Sequence, residues 1–245
     1  MKVALITGAS GKIGGETVKK FAKNGYFVFA HINANRGGID NVIKELLAEG
    51  IKDTVFAVQA DFSDEKSIQN MFDTIKKSFS HVDVLVNNAG VGLYKMITET
   101  HINEWRKVFD INVTSTYFLT NLVLEKMIER KSGKIINVSS IWGKDGASME
   151  VCYSASKSAL IGYTKALAKE LAPSNVNVNC ICPGVIDTAM NKRFSPEEIE
   201  ELKNATPLGR LGKASEVADL IYYLSTDSAS FITGQIITVD GGFTL

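Results

Sequence analysis

The chain has 245 residues, 45% of them apolar, which is enough to bury a substantial core, and its 27 Lys plus Arg balance 27 Asp plus Glu. That balance leaves no basic excess for nucleic acid or an anionic membrane surface, so small neutral or anionic ligands are the natural partners. No apolar window approaches a membrane span, and the opening run Met1 to Gly8 is too short for a signal peptide, so a cytoplasmic protein is expected.

The first strand-like segment, Val3-Ala4-Leu5-Ile6, runs into Thr7-Gly8-Ala9-Ser10-Gly11-Lys12-Ile13-Gly14 and then a helix over 12–24. A glycine-rich turn feeding a helix N-terminus presents free backbone amides and the positive dipole end to a diphosphate. Further strands are predicted at 27–30, 55–58, 82–86, 134–138, 176–179 and 236–239, and helices at 37–49, 64–79, 103–130, 152–172 and 213–226. Seven strands alternating with helices predict an α/β fold, a mostly parallel sheet covered on both faces within one domain spanning 1–245. The segment 188–206 breaks the alternation. Phe194-Ser195-Pro196-Glu197-Glu198-Ile199 reads as a short helix started by a serine cap, at the carboxyl end of a strand, where a substrate lid belongs.

Tyr153 and Lys157 stand four apart in a predicted helix, so phenol and ammonium share one face. A phenol titrates near pH 10, and a nearby cation favours its anion. By itself the spacing fits an aromatic packed on the core beside a solvated amine. Cys152, Cys180 and Cys182 neither pair evenly nor show metal-ligand spacing, and Cys180 and Cys182 would share one side of a strand as small buried groups. His31, His81 and His101 are scattered, which suggests neither a metal site nor a histidine-based triad.

Several segments together change the weight of that pair. The loop from Thr7 to Gly14 resembles the Thr-Gly-x-x-x-Gly-x-Gly loop of the short-chain dehydrogenase/reductase family. Asn87-Asn88-Ala89-Gly90 after the fourth strand, Asn112 in the long helix, Ser140 at the end of the fifth strand, and Tyr153 with Lys157 match that family's other motifs. So do Pro183-Gly184-Val185-Ile186-Asp187-Thr188, Thr233-Gly234-Gln235 and Asp240-Gly241-Gly242. Within the family, Pro207-Leu208-Gly209-Arg210-Leu211-Gly212 and the tail look most like 3-oxoacyl-[acyl-carrier-protein] reductases.

The resemblance implies a Rossmann-type, doubly wound sheet and a catalytic tetrad of Asn112, Ser140, Tyr153 and Lys157. It places the cofactor on Gly8, Ser10, Gly11, Lys12, Ile13 and Gly14, on Asn88, Ala89 and Gly90, and on Tyr153, Lys157, Pro183, Gly184, Ile186 and Thr188, with Asp61-Phe62 flanking the adenine. No metal is implied. Hydride transfer to a carbonyl carbon builds negative charge on its oxygen, which Ser140 and Tyr153 would hold while Tyr153 gives up its proton. Lys157 would favour the tyrosinate and hold the nicotinamide ribose, and Asn112 would anchor a water that reprotonates the lysine. Ser139 competes for the serine role; strand alternation separates the two side chains, and the family spacing selects Ser140.

Lys12 stands at the usual middle glycine of the loop, where its side chain either crowds the diphosphate or meets a phosphate. Ile32 occupies the end of strand two, where an acidic residue would repel a 2′-phosphate, and Asn33, Asn35 and Arg36 follow; NADP(H) is therefore favoured over NAD(H). Arg130 and Lys131 match part of a basic dock for acyl carrier protein, whereas Pro173-Ser174-Asn175 offers no cation for the rest. The leading expectation is an NADPH-dependent reductase of 3-oxoacyl thioesters. The alternatives are reduction of steroid, sugar or acetoacetyl-coenzyme A ketones, or a dinucleotide-binding protein without turnover. A homotetramer is expected, built on the helix at 103–130, the helix carrying Tyr153 and the tail Phe243-Thr244-Leu245. Those helices carry apolar residues on more than one face, among them Val113, Tyr117, Phe118 and Val123 on the first and Leu160, Ile161, Tyr163 and Leu167 on the second.

Overall fold

Alternate residues of the first strand, β1 (Val3–Ile6), point into two different cores: Ala4 and Ile6 pack in one apolar cluster, Val3 and Leu5 in the other. A strand apolar at every position is the signature of a sheet buried on both faces. The computed structural model describes residues 1–245, apart from the side chain of Lys192. β1 is joined by β2 (Phe27–Ile32), β3 (Val55–Gln59), β4 (Val84–Asn87), β5 (Gly133–Val138), β6 (Val176–Pro183) and β7 (Ile236–Val239) in one sheet ordered β3-β2-β1-β4-β5-β6-β7, every pair parallel. The expected Rossmann-type topology is therefore present.

The helices are α1 (Lys12–Lys23), α2 (Gly37–Ala48), α3 (Glu65–Ser78), α4 (Ile102–Phe109), α5 (Ser115–Arg130), α6 (Trp142–Asp145), α7 (Val151–Leu171), α8 (Pro196–Ala205) and α9 (Ala214–Leu224). One face of the sheet is covered by α1, α2 and α9 through residues such as Phe21, Leu46 and Ile221. The opposite face is covered by α3, α5 and α7 through Ile75, Met127 and Leu171. At 25 cal/mol per Å², each fully buried side chain of this kind contributes roughly 1.5–3 kcal/mol. No described helix is long and apolar enough to cross a membrane.

The helix expected over 103–130 is present as an unbroken helical run, but it is not α-helical throughout. α4 and α5 are joined by a π-helical segment, Asp110–Thr114, which changes the hydrogen-bond spacing and turns Asn112 inward to full burial. Sequence periodicity cannot separate one helix from two joined by a single wide turn. The segment 188–206 does form the capped element expected of it: Ser195 accepts from the Glu198 amide, the Glu198 carboxylate accepts from the Ser195 amide, and Pro196 opens α8.

Candidate active site

Successive strands run outward from β1 to β3, and then β4 returns to the other side of β1, so the helices leaving β1 and β4 diverge and open a crevice at the strands' carboxyl ends. A cleft of about 450 Å³ lies there, within the range of small-ligand sites. Its floor is the loop after β1. Gly8 has φ +68°, a left-handed conformation, and a Cβ at Gly14 would fall 2.2 Å from the Gly8 carbonyl oxygen, so the first turn of α1 packs on the loop only because both are glycine. Thr7 ties the loop to the segment after β4: its hydroxyl donates to the Val86 carbonyl and accepts from the amides of Asn88 and Ala89. Asn88 Nδ2 donates back to the Thr7 carbonyl at 2.8 Å.

Lys12, ambiguous in the sequence, reaches across the cleft mouth to Asp187 in an ion pair of 2.9 Å. Its ammonium is therefore held beside the loop rather than folded into it. Both partners are more than half exposed, so the pair contributes at most ~1 kcal/mol.

At the far end of the cleft, β2 ends in a buried Ile32, followed by Asn33 and Asn35 on the wall. Ser10 Oγ donates to the Asn35 carbonyl at 2.5 Å, joining the phosphate loop to this turn, while Arg36 pairs with Asp40. His31, read from the sequence as an isolated histidine, proves to be a tie at this end. Its Nδ1 accepts from the Gly8 amide, its Nε2–H donates to the Ala60 carbonyl, and its ring stacks on Phe62 at 3.8 Å. Burial pushes its pKa down to about 4, against a smaller opposing effect of the Ala60 carbonyl, which keeps it neutral and able to accept. Asp61 and Phe62 line the cleft, and the Ser63 amide and hydroxyl hold the Asp61 carboxyl below its ordinary range.

The other end is built on α7. Tyr153 and Lys157 are buried one turn apart, with Lys157 Nζ 5.7 Å from the phenol ring centre. Lys157 Nζ donates to the Val138 carbonyl at 2.8 Å, and Ser139 Oγ donates to the Lys157 carbonyl, so Ser139 is spent on fixing the helix. Ser140 lies two residues beyond the end of β5 rather than in it; its hydroxyl is the one that interacts with Tyr153. Asn112 is anchored on every side: Nδ2 donates to the Val91 carbonyl and to Ser156 Oγ, and Oδ1 accepts from the Val91 amide. A Cβ at Gly90 would fall 3.2 Å from both Asn112 Oδ1 and Lys157 Nζ, so glycine leaves a small polar gap between them. Burial dominates the titration of both central groups. It raises the Tyr153 phenol to about 12, against a lowering by Ser140, and lowers the Lys157 ammonium to about 8.

Asn112 stands behind Gly90. Every other site residue expected from the sequence lines the cleft, including Ala89, Pro183, Gly184, Ile186 and Thr188. Cys180 and Cys182 are buried on one side of β6, and no described His, Cys, Asp or Glu residues cluster as metal ligands. Arg130, expected to be free for an acidic partner, is paired with Asp83 at 2.9 Å. Arg193, Phe194 and Leu202 of the expected lid segment 188–206 form one wall of the cleft, and Glu150, which sequence reasoning missed, completes it. One signal was available: Glu150 is an acidic residue immediately before the helix that carries Tyr153, the N-terminal position where a carboxylate is favoured.

Known proteins agree with this geometry. The chain matches the short chain dehydrogenase family over residues 2–199. It is 40% identical to the uncharacterized oxidoreductase YmfI of Bacillus subtilis over 99% of this chain and 98% of that protein. It is 36% identical to the 3-oxoacyl-[acyl-carrier-protein] reductase FabG of Thermotoga maritima over 100% of this chain and 98% of the relative. For the reductase of the same name from Aquifex aeolicus the identity is 38%, over 98% and 96%. Such membership implies a nicotinamide dinucleotide as cofactor. With the parallel sheet, the glycine loop at its switch point and near full-length relatives in agreement, the chain belongs to the short-chain dehydrogenase family and is an oxidoreductase.

Proposed function

We propose that this protein reduces 3-oxoacyl thioesters, foremost 3-oxoacyl-[acyl-carrier-protein], to 3-hydroxyacyl thioesters with NADPH, as a step of fatty acid biosynthesis. The observation that carries the reading is one cleft with a phosphate loop at one end and Ser140, Tyr153 and Lys157 at the other. The residues fit a dinucleotide: loop amides at a helix N-terminus suit a diphosphate, and the Gly14 contact leaves no room for a side chain beneath it. The nicotinamide supplies a hydride when bound.

The protein's own residues supply the rest. Ser140 and Tyr153 hydrogen-bond the carbonyl oxygen as it gains charge, and Tyr153 passes it a proton. Lys157, held by Val138, keeps a cation beneath the phenol and reaches the ribose; Asn112, across the gap at Gly90, positions a water for its reprotonation. A protonated phenol throughout the neutral range suits a proton donor in the reducing direction. We read residues 1–245 as one catalytic domain with a lid at 188–206. The decisive assay is turnover of acetoacetyl thioesters against steroid and sugar ketones with both cofactors; thioester turnover no better than the others would reject the substrate assignment.

NADPH is preferred because Ile32 leaves no carboxylate at the end of β2 and Ser10, Asn33 and Asn35 offer polar groups there. Ile32→Asp should shift kcat/KM toward NADH by about tenfold or more, since a carboxylate repels a 2′-phosphate and accepts from a free ribose hydroxyl. A parent that already prefers NADH would overturn this argument.

The homotetramer follows from apolar surface left on α5, α7 and the tail. Val123, Leu160 and Leu167, expected to contribute, are instead buried in the chain's own core, and Val113, Phe118, Ile161 and Tyr163 are half-buried. Tyr117, Ile128 and Leu245 remain exposed. Closed two-fold pairing of like helices would cover them. Sedimentation should show four copies at micromolar concentration; a fully active monomer would exclude the assembly.

A further inference from the structure

Glu150 is a carboxylate at only 5% exposure in the wall of the active-site cleft, at the N-terminal cap of α7 and one turn before Tyr153. Its partner is Arg193, whose Nη2 donates to Glu150 Oε1 at 2.5 Å. Arg193 belongs to the 3-10 turn Ala189–Arg193 in the lid segment. Its guanidinium lies over two rings, 4.6 Å from the centre of Tyr94 and 4.7 Å from that of Phe194, which themselves meet edge to face. The chain around Tyr94 is tied to the same corner by the Lys95 amide, which donates to the Met149 carbonyl at 2.7 Å. Three separate segments thus converge on one ion pair, enclosed at its Glu150 end and partly open at Arg193.

We propose that Glu150 and Arg193 form a latch that fastens the lid to the start of α7, so that proton transfer by Tyr153 is favoured only with the lid closed. The inference rests on the reading of Tyr153 as proton donor. Glu150 is enclosed while Arg193 keeps about a quarter of its side chain in solvent, and an ion pair with one partly exposed partner gives little net stability, so stability alone does not account for its place in the cleft. Its position does. The groups that act on Tyr153 are the Ser140 hydroxyl after β5, Cys182 of β6, Lys157 on α7, Glu150 and Arg193. Ser140, Cys182, Lys157 and Glu150 sit on or beside the packed sheet and α7; Arg193 rides on the lid. With Arg193 in place its charge offsets the Glu150 carboxylate, which opposes formation of a tyrosinate. When the lid leaves, an unpaired carboxylate remains beside the phenol and holds back its proton. A substrate carbonyl would therefore meet an effective acid only after enclosure, a form of gating by a mobile segment.

The test uses the full chain with NADPH bound, comparing the parent with Glu150→Gln, Arg193→Ala and the double variant. Amide hydrogen exchange should quicken by about tenfold across residues 189–206 in both single variants and stay unchanged in the sheet. In single-turnover reduction of an acetoacetyl thioester at pH 7, Arg193→Ala should slow the step by about three- to tenfold because the phenol becomes a weaker acid, and adding Glu150→Gln should restore it. Unaltered lid exchange in Glu150→Gln, an unchanged single-turnover rate in Arg193→Ala, or a double variant no nearer the parent than Arg193→Ala would each overturn the latch. Glu150→Gln is nearly isosteric and keeps the test open should Arg193→Ala fold poorly. A parent that turns over no 3-oxoacyl thioester rejects the substrate reading instead, and the exchange result then decides the latch alone.

Discussion

Tyr153→Phe is expected to lower turnover by about 10²–10⁴-fold while leaving NADPH affinity and stability near those of the parent. The ring is buried and keeps its packing in the variant, with the Lys157 ammonium still 5.7 Å from its centre. What disappears is one hydroxyl, the group proposed above as the proton source. An interaction made mainly in the transition state lowers kcat and kcat/KM together and leaves KM in place. Stopped-flow turnover with a 3-oxoacyl thioester, beside cofactor titration by fluorescence, separates these quantities. Turnover within about threefold of the parent would remove Tyr153 from the chemistry.

The elements were legible where burial is two-sided. β1 is apolar along its length because helices cover both faces, and the strand predictions agree with the sheet to within a few residues except at β6, which runs on to Pro183. The cleft residues were legible because glycines, Asn-Asn-Ala-Gly and Tyr-x-x-x-Lys recur at recognisable places. The π-helical turn at Asn112 was not, since one wide turn leaves hydrophobic spacing almost unchanged. His31 was invisible for another reason: its partners are the backbone groups of Gly8 and Ala60, which no side-chain pattern announces. Arg193 and Glu150 lie 43 positions apart, and Lys12 and Asp187 lie 175 apart, so only the fold brings them together. The balance at Tyr153 also differs from the sequence expectation. Electrostatic help from Lys157 suggested an easily formed tyrosinate, whereas burial raises both the phenol's pKa and the cost of the ammonium.

That cost makes Lys157→Met the most discriminating substitution in the protein: it should abolish useful turnover and yet raise stability. The side chain is 4% exposed, and burial lowers its pKa from the ordinary 10.5 to about 8. Below pH 8 both folded and unfolded chains carry the ammonium, and the folded state bears the full penalty, roughly 3 kcal/mol. From about 8 to 10.5 the folded chain gives up the proton first and the penalty fades. Methionine has a similar shape without the charge, but leaves the Val138 carbonyl without its donor, which returns about 1–2 kcal/mol. The net gain of about 1–2 kcal/mol at pH 7 corresponds to a Tm higher by roughly 2–8 °C in a chain of this size. The gain should shrink or reverse near pH 10, which calorimetry at the two pH values reads directly. Turnover should fall at least ~10²-fold with weaker cofactor binding if, as proposed, one amine serves both phenol and ribose. A variant that is both less stable at pH 7 and still active would show that Lys157 is a packing residue rather than a charge held at a cost to the fold.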